Sequence, residues 1–153
     1  MLGSDELVRI WEEFDVPLKK RELLKHDFKL WEALLNDRNP EETEIFLEKQ
    51  GSIGYLFSEN ILMKIDRQDS EPRNIITFFP LNEIKSCNLQ INGFESNNNG
   101  EVVLNKKGQI IPDTKIQLFF CIGKNEFTFN SDQLYTDRLI SILTNKILPK
   151  IGK

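Results

Sequence analysis

The hydrophobic positions of the first 50 residues recur at helical spacing. Ser4 is a suitable N-cap for a helix that runs to Phe14, and Pro17 is accepted in the first turn of a second helix that runs to about Leu35. The apolar stripes of these helices are Leu7, Ile10, Trp11 and Phe14, then Leu24, Phe28, Trp31 and Leu35. Both segments are therefore predicted to be amphipathic helices with one buried face each.

A third, shorter helix is predicted after the polar break at residues 36–40. Asn39 caps it, Pro40 occupies its first position and Glu42 completes a capping box. Gly51 is a natural end, because glycine accepts the left-handed backbone conformation at low cost. We therefore predict a helical appendage at residues 1–50 and a second domain at residues 51–153.

Beyond Gly51 the pattern changes to the period of β-strands. The apolar runs at 53–57 and 61–65, with three polar residues between them, predict a hairpin. A strand is expected at 74–79, and another at 86–91, where Cys87, Leu89 and Ile91 alternate with polar residues and are expected to face a core. We find no internal repeat in the chain.

The last third of the chain predicts a polar turn, a hairpin and a closing helix. Residues 97–100 are rich in turn formers, and residues 105–108 form either a tight turn or a wide loop. A strong hairpin is predicted from 116–122 and 126–129, after which Ser131 is expected to cap the final helix. One side of that helix carries Tyr135, Leu139, Ile142 or Leu143, and Ile147.

Charge and cysteine usage exclude several classes of protein. Residues 1–50 hold 8 Lys/Arg against 13 Asp/Glu (net −5) and residues 51–153 hold 12 against 11 (net +1), so we expect no nucleic-acid partner. Cys87 and Cys121 lie in separate apolar runs without ligand spacing, which indicates buried thiols rather than a metal site. No signal peptide and no membrane-spanning run are evident, and a cytoplasmic location follows as the expectation.

The succession of strands closed by one helix resembles the pleckstrin-homology-like superfold, in its bacterial PH-like and GRAM-type branch. The local matches are SENIL at 58–62, which stands at a polar turn before the second strand, and FPLNEIKS at 79–86, which is similar to the link between the third and fourth strands. The resemblance covers residues 51–151. It implies an α+β fold: an antiparallel PH-like β-barrel of about seven strands, capped by a C-terminal α-helix and here preceded by a helical segment.

Candidate contact residues are basic and lie in two places. One set is on the second predicted helix, and the other is near the first hairpin, where phosphoinositide-binding members of the superfold carry basic residues. These candidates are Lys19, Lys20, Arg21, Lys25 and Lys29 with Trp31, and then Lys64 and Arg67. They are candidates for a protein partner or a lipid surface, although interleaved acids also suit an ordinary solvated helix face.

No catalytic, cofactor-binding or metal-binding motif is present, and His26, the only histidine, lacks an evident nucleophile. We therefore expect a non-catalytic cytosolic binding or adaptor module, without a cofactor, that recognises a protein segment or its own copies. The first alternative is peripheral recruitment to anionic lipid, and a small barrel enzyme or ligand carrier is the second. The apolar faces of the helices either dock on the barrel or associate in trans.

Overall fold

The computed structural model describes residues 4–35, 43–68, 73–91, 94–111, 115–131 and 136–151. Two helices precede the strands: α1, Ser4–Glu13, and α2, Leu18–Leu35. The strands are β1 Glu44–Glu48, β2 Ile53–Phe57, β3 Ile61–Gln68, β4 Arg73–Pro80, β5 Ile84–Ile91, β6 Ile116–Ile122 and β7 Asn125–Ser131. The last helix, α3, spans Thr136–Ile142 and continues as a π turn, Leu143–Ile147, and a 3-10 turn, Leu148–Lys150.

The strands form two antiparallel sheets rather than one closed barrel. The first sheet has the order β1-β2-β3-β4 and the second has the order β5-β6-β7. The predicted α+β class with antiparallel strands is confirmed, but the predicted barrel closure is wrong. A 3-10 turn at Leu81–Glu83 separates β4 from β5, and within the described residues no ladder joins β7 to β1. The gap between β7 and β1 is bordered by α3, which contacts both of these strands.

An aromatic core fills the space between the two sheets and α3. Phe129 stacks on Phe46 with ring centroids 4.5 Å apart, and Phe120 stacks on Phe127 at 5.0 Å. The buried members of this core are Phe46, Tyr55, Phe57, Leu62, Leu81, Ile84, Ile116, Leu118, Phe120, Ile122, Phe127, Phe129, Leu139, Ile142 and Ile147. The predicted buried side of α3 is thus confirmed at Leu139, Ile142 and Ile147, whereas Tyr135 lies outside the described residues.

A second core lies between the helices α1 and α2 and the opposite face of the first sheet. Trp11 of α1 stacks on Phe28 of α2 at 5.1 Å, and both are buried. The sheet contributes Ile45, Leu47, Leu56, Met63 and Ile65 to this core. The helices therefore dock on the sheet within the same chain, which was one of the two predicted arrangements. The strands β1 and β2 are therefore covered on both faces, whereas Ile75 and Phe78 of β4 are exposed.

The predicted third helix is wrong within the described residues, because 44–48 form strand β1. Every residue of β1 pairs with β2, from Glu44 opposite Phe57 to Glu48 opposite Ile53. Pairing and burial on both faces outweigh the helix propensity of this short segment. Gly51 ends a 3-10 turn at Lys49–Gly51 instead of a helix. Residues on both sides of Gly51 therefore share one sheet, and the predicted domain boundary at this position stays a prediction.

Several other predictions have clear outcomes. The hairpins at 53–65 and 116–129 are confirmed as β2–β3 and β6–β7. The prediction that Ile91 faces a core is wrong, since 62% of it is exposed. Cys87 and Cys121 are free thiols and only half-buried. Ser131 ends β7, and the residues between it and α3 lie outside the described part. No helix among the described residues is both long and apolar enough to cross a bilayer.

Candidate functional site: the β1–β7 groove

A groove opens where the edge of the first sheet meets the edge of the second. Its cavity volume is about 470 Å³, within the range of ligand-sized clefts. It brings together the α1–α2 turn, the end of β1 and the outer side of β7. We call it the β1–β7 groove, and its lining residues are Phe14, Asp15, Phe46, Leu47, Glu48, Lys49, Gln50, Thr128 and Asn130.

Backbone strain among the described residues is concentrated in this groove. Asp15, Lys49 and Gln50 have φ values of 52°, 50° and 56°, and they are the non-glycine residues with positive φ in the described part of the chain. A non-glycine residue in this conformation costs on the order of 1–3 kcal/mol and persists only where the surroundings enforce it. All three line the groove. Such clustering is typical of binding sites.

The outer edge of β1 directs peptide groups away from β2. Arg138 Nη1 donates to the carbonyl oxygen of Ile45 at 3.2 Å, so the peptide groups of Ile45 point away from β2. Alternation along an antiparallel strand directs the N–H and C=O of Leu47 the same way. Leu47 lines the groove. The groove therefore offers a backbone donor and acceptor to an extended ligand chain.

A buried network of polar groups lies beside the groove. The Tyr55 hydroxyl shares a hydrogen bond with Glu48, and Lys64 Nζ lies 5.9 Å from the centroid of the Tyr55 ring. Burial raises the pKa of the Glu48 carboxyl above its ordinary value, although Lys64, Lys49 and the Tyr55 hydroxyl favour its charged form. Burial, followed by the charges of Glu48 and Asp66, holds the pKa of Tyr55 well above its ordinary range. Glu48 is thus a carboxyl whose charge is poorly solvated at the groove wall.

Two of the predicted basic residues on α2 are held by contacts within the chain. Lys20 Nζ donates to Ser52 Oγ at 2.7 Å, which ties α2 to the sheet. Arg21 Nε donates to the carbonyl oxygen of Val16 at 3.1 Å. Both side chains are half-buried. These two side chains therefore stabilise the position of α2 within the fold.

The predicted residues of the first hairpin are also engaged. Arg67 forms a buried ion pair with Asp27 of α2, and Asp27 also accepts from Asn74 Nδ2 at 3.4 Å. Lys64 faces the interior side of the first sheet, opposite Tyr55 and Thr77. Both residues thus have partners within the fold. The structure does not bring Lys64 and Arg67 together on one face, because their positions in β3 differ by three residues.

The remaining candidates lie on the exposed part of α2. Lys19, Lys25 and Lys29 are exposed, and so is His26. The backbone of Trp31 belongs to α2, and its side chain lies outside the described part. None of the basic candidates lines the β1–β7 groove.

Sequence reasoning missed the groove because its walls come from three distant segments of the chain, near residues 14, 48 and 130. No local motif marks any of them. Among the described residues there is no group of three or more His, Cys, Asp or Glu side chains placed to hold a metal ion. No protein-family model, curated protein or solved structure matches this chain.

Proposed function

We propose that this protein is a non-catalytic binding module that holds an extended protein segment in the β1–β7 groove. The observation that carries the proposal is the outward edge of β1, where the peptide N–H and C=O of Leu47 point away from β2 and Leu47 lines a groove of about 470 Å³. Strand addition to an exposed sheet edge is a general mode of peptide recognition. The backbone provides affinity, and the side-chain walls provide selection.

The chemistry of the walls suits a short polar or basic segment. Phe14 and Phe46 supply apolar surface, while Thr128 and Asn130 supply uncharged hydrogen-bonding groups. Glu48 supplies a carboxyl whose burial makes a cationic partner favourable. The strained backbone of Lys49 and Gln50 fixes the shape of the groove before the ligand arrives, which reduces the entropy cost of binding.

We also propose that the module belongs to the PH-like superfold and acts in the cytosol. The arrangement of four strands, then three strands, then a terminal helix beside the edges of β1 and β7 supports the first statement. The two free thiols, Cys87 and Cys121, support a reducing compartment. If the bound segment belongs to a second copy of this chain, the same groove mediates self-association.

A charge placed at the groove wall tests the proposal. A displayed library of random peptides is selected on the intact protein, and the affinities of enriched peptides are measured by fluorescence anisotropy. Thr128→Lys narrows the groove, and Asn88→Lys is the matched control. Phe119 of β6 pairs with Asn88 of β5 and with Thr128 of β7. Asn88 and Thr128 therefore lie on the same face of the second sheet, and both are exposed.

We expect Thr128→Lys to weaken peptide binding about tenfold or more, a loss on the order of 1.4 kcal/mol, and Asn88→Lys to leave it unchanged. Amide signals of Leu47 and Lys49 should shift on titration with peptide. Equal effects of the two variants, or shifts confined to residues far from the groove, would contradict the proposal.

A further inference from the structure

Residues 94–111, which lie between β5 and β6 in the sequence, form a small hydrogen-bonded unit that is mostly exposed. We call residues 94–111 the β5–β6 arm. Its chain is organised by two turns that use the same hydrogen bonds eight residues apart. Asn97 Oδ1 accepts from the N–H of Asn99 and Glu101 at 2.9 and 3.0 Å, and Asn105 Oδ1 accepts from Lys107 and Gln109 at 2.9 and 3.0 Å.

The three short segments of the arm are hydrogen-bonded to one another. Ser96 forms a bridge with Val102, and Leu104 forms one with Ile110. The first and third segments are joined by the N–H of Glu95, which donates to the carbonyl oxygen of Ile111 at 2.8 Å. The second segment thus forms a bridge with each of the others, and the first and third share one hydrogen bond. This arrangement leaves less free strand edge for pairing with another protein chain.

One face of the arm is mostly apolar and carries no acid. Bridge partners in antiparallel segments point to the same side, and alternate residues along a segment share a side. The register therefore places Phe94, Val102, Leu104 and Ile110 on one side of the arm, together with Ser96. Between 43 and 57% of each of these residues is exposed. An exposed apolar cluster of this kind marks an interaction surface.

The charges of the arm are arranged around that face. Lys106 and Lys107 are exposed in the turn that joins Leu104 to Ile110. Glu95 and Glu101 occupy positions of the opposite alternation, so the register places them on the other side of the arm. An apolar face with cations at its end and acids behind it is complementary to a negatively charged lipid surface.

We propose that the apolar face of the β5–β6 arm binds the surface of bilayers that contain anionic lipid. The four apolar side chains enter the boundary between headgroups and acyl chains, and the two lysines contact anionic headgroups. Hydrogen bonding between the segments suits this environment, because peptide groups without partners are costly there. The proposal does not depend on the β1–β7 groove. It places lipid contact on the arm instead of on the basic residues of α2.

Vesicle flotation tests the proposal with the intact protein. The vesicles are phosphatidylcholine alone, or phosphatidylcholine mixed with phosphatidylserine, at low and high salt. The first variant, Lys106→Gln with Lys107→Gln, removes the charge of the turn. A second, Leu104→Ser with Ile110→Ser, removes apolar surface at exposed positions. The matched control is Lys19→Gln with Lys25→Gln, which removes the same charge from exposed positions of α2. Circular dichroism verifies that each variant is folded.

We expect binding to the phosphatidylserine vesicles at low salt and little binding to phosphatidylcholine alone. Each lysine near an anionic surface contributes about fivefold, so the arm variant should bind roughly 25-fold more weakly while the α2 control is unchanged. The Leu104 and Ile110 variant should also lose binding. The proposal is overturned if the wild type does not float with anionic vesicles at low salt, or if the α2 control loses as much as the arm variant. It is also overturned if the wild type does not bind vesicles but forms a dimer in light scattering, and the Leu104 and Ile110 variant is a monomer. The apolar face would then be a contact between copies of the chain.

Discussion

Glu48 is the residue at which the groove wall and the buried polar network coincide. Its pKa is raised because burial opposes the charged form more strongly than Lys64, Lys49 and Tyr55 favour it. The folded protein therefore binds a proton more tightly at this site than the unfolded chain does. The charged form of Glu48 reduces the stability of the fold. A role in binding accounts for such a residue, since functional sites commonly retain groups that reduce stability.

The raised pKa of Glu48 predicts a pH-dependent stability difference. Above the ordinary value of 4.5, the unfolded chain loses this proton first, so the contribution of Glu48 to stability declines as pH rises through its folded pKa. Glu48→Gln removes the titration but retains the shape of the side chain. The free energy of unfolding of the variant, relative to wild type, should therefore increase from pH 4 towards neutral pH. Urea denaturation across this interval measures it, and a difference independent of pH would contradict the prediction.

At the scale of elements, the close approach of α2 to the first sheet depends on Gly51. Gly51 has φ of +94°, and a Cβ built on it would lie 2.8 Å from Leu24 Cδ1 of α2. Both the backbone conformation and the space therefore require glycine here. The same residue lies beside Val16, in the link between α1 and α2. Gly51 thus couples the conformation of the turn after β1 to the packing of the two helices.

Gly51→Ala should cost more than alanine at a glycine where only the backbone conformation is demanding. Gly108 is the matched control, since its φ is +73° and no atom lies within 4 Å of the built Cβ. Gly108→Ala should destabilise the protein by about 1 kcal/mol, and Gly51→Ala should add about 1–3 kcal/mol from overpacking against Leu24. Urea denaturation of both variants measures the two costs. Equal losses would mean that Leu24 moves aside freely.

For the whole molecule, the sequence predicted what depends on local pattern and missed what depends on pairing. The hairpins, the helices α1 and α2 and the buried side of α3 follow from periodicity, and they are present. The segment at 44–48 is predicted as part of a helix from the capping signals at Asn39, Pro40 and Glu42, whereas its pairing with β2 decides its structure. Barrel closure failed for the same reason. Whether two distant strand edges pair is not encoded in the period of either strand.

The groove was missed because it exists only where these elements meet. The repeated turns of the arm did have a local signal, namely Asn-x-x-Gly followed by Glu or Gln, eight residues apart at Asn97 and Asn105. No local signal indicated that Ile91 is exposed. A period of two distinguishes the two faces of a strand, but it does not show which part of a face is covered by other elements.

The guanidinium group of Arg138 links α3 to α1 and to β1. Its Nε donates to Glu13 Oε2 of α1 at 2.5 Å, its Nη1 donates to the carbonyl oxygen of Ile45, and its Cζ lies 5.7 Å from the centroid of the Phe14 ring. Because Phe14 and the edge of β1 also border the groove, this contact links α3 to the shape of the candidate site.

Arg138→Met should destabilise the whole molecule by about 2 kcal/mol, since it retains the aliphatic stem and removes the charge-assisted hydrogen bonds. Glu13→Gln should cost less, because Arg138 then keeps its bond to Ile45, and both side chains of the ion pair are about one-fifth exposed. The double variant should lose less than the two single losses added together, as expected for residues in contact. Urea denaturation of the four proteins measures this coupling, and strictly additive losses would show that Arg138 and Glu13 act independently. Loss of groove binding by Arg138→Met under conditions where the variant is folded would place α3 among the elements that shape the site.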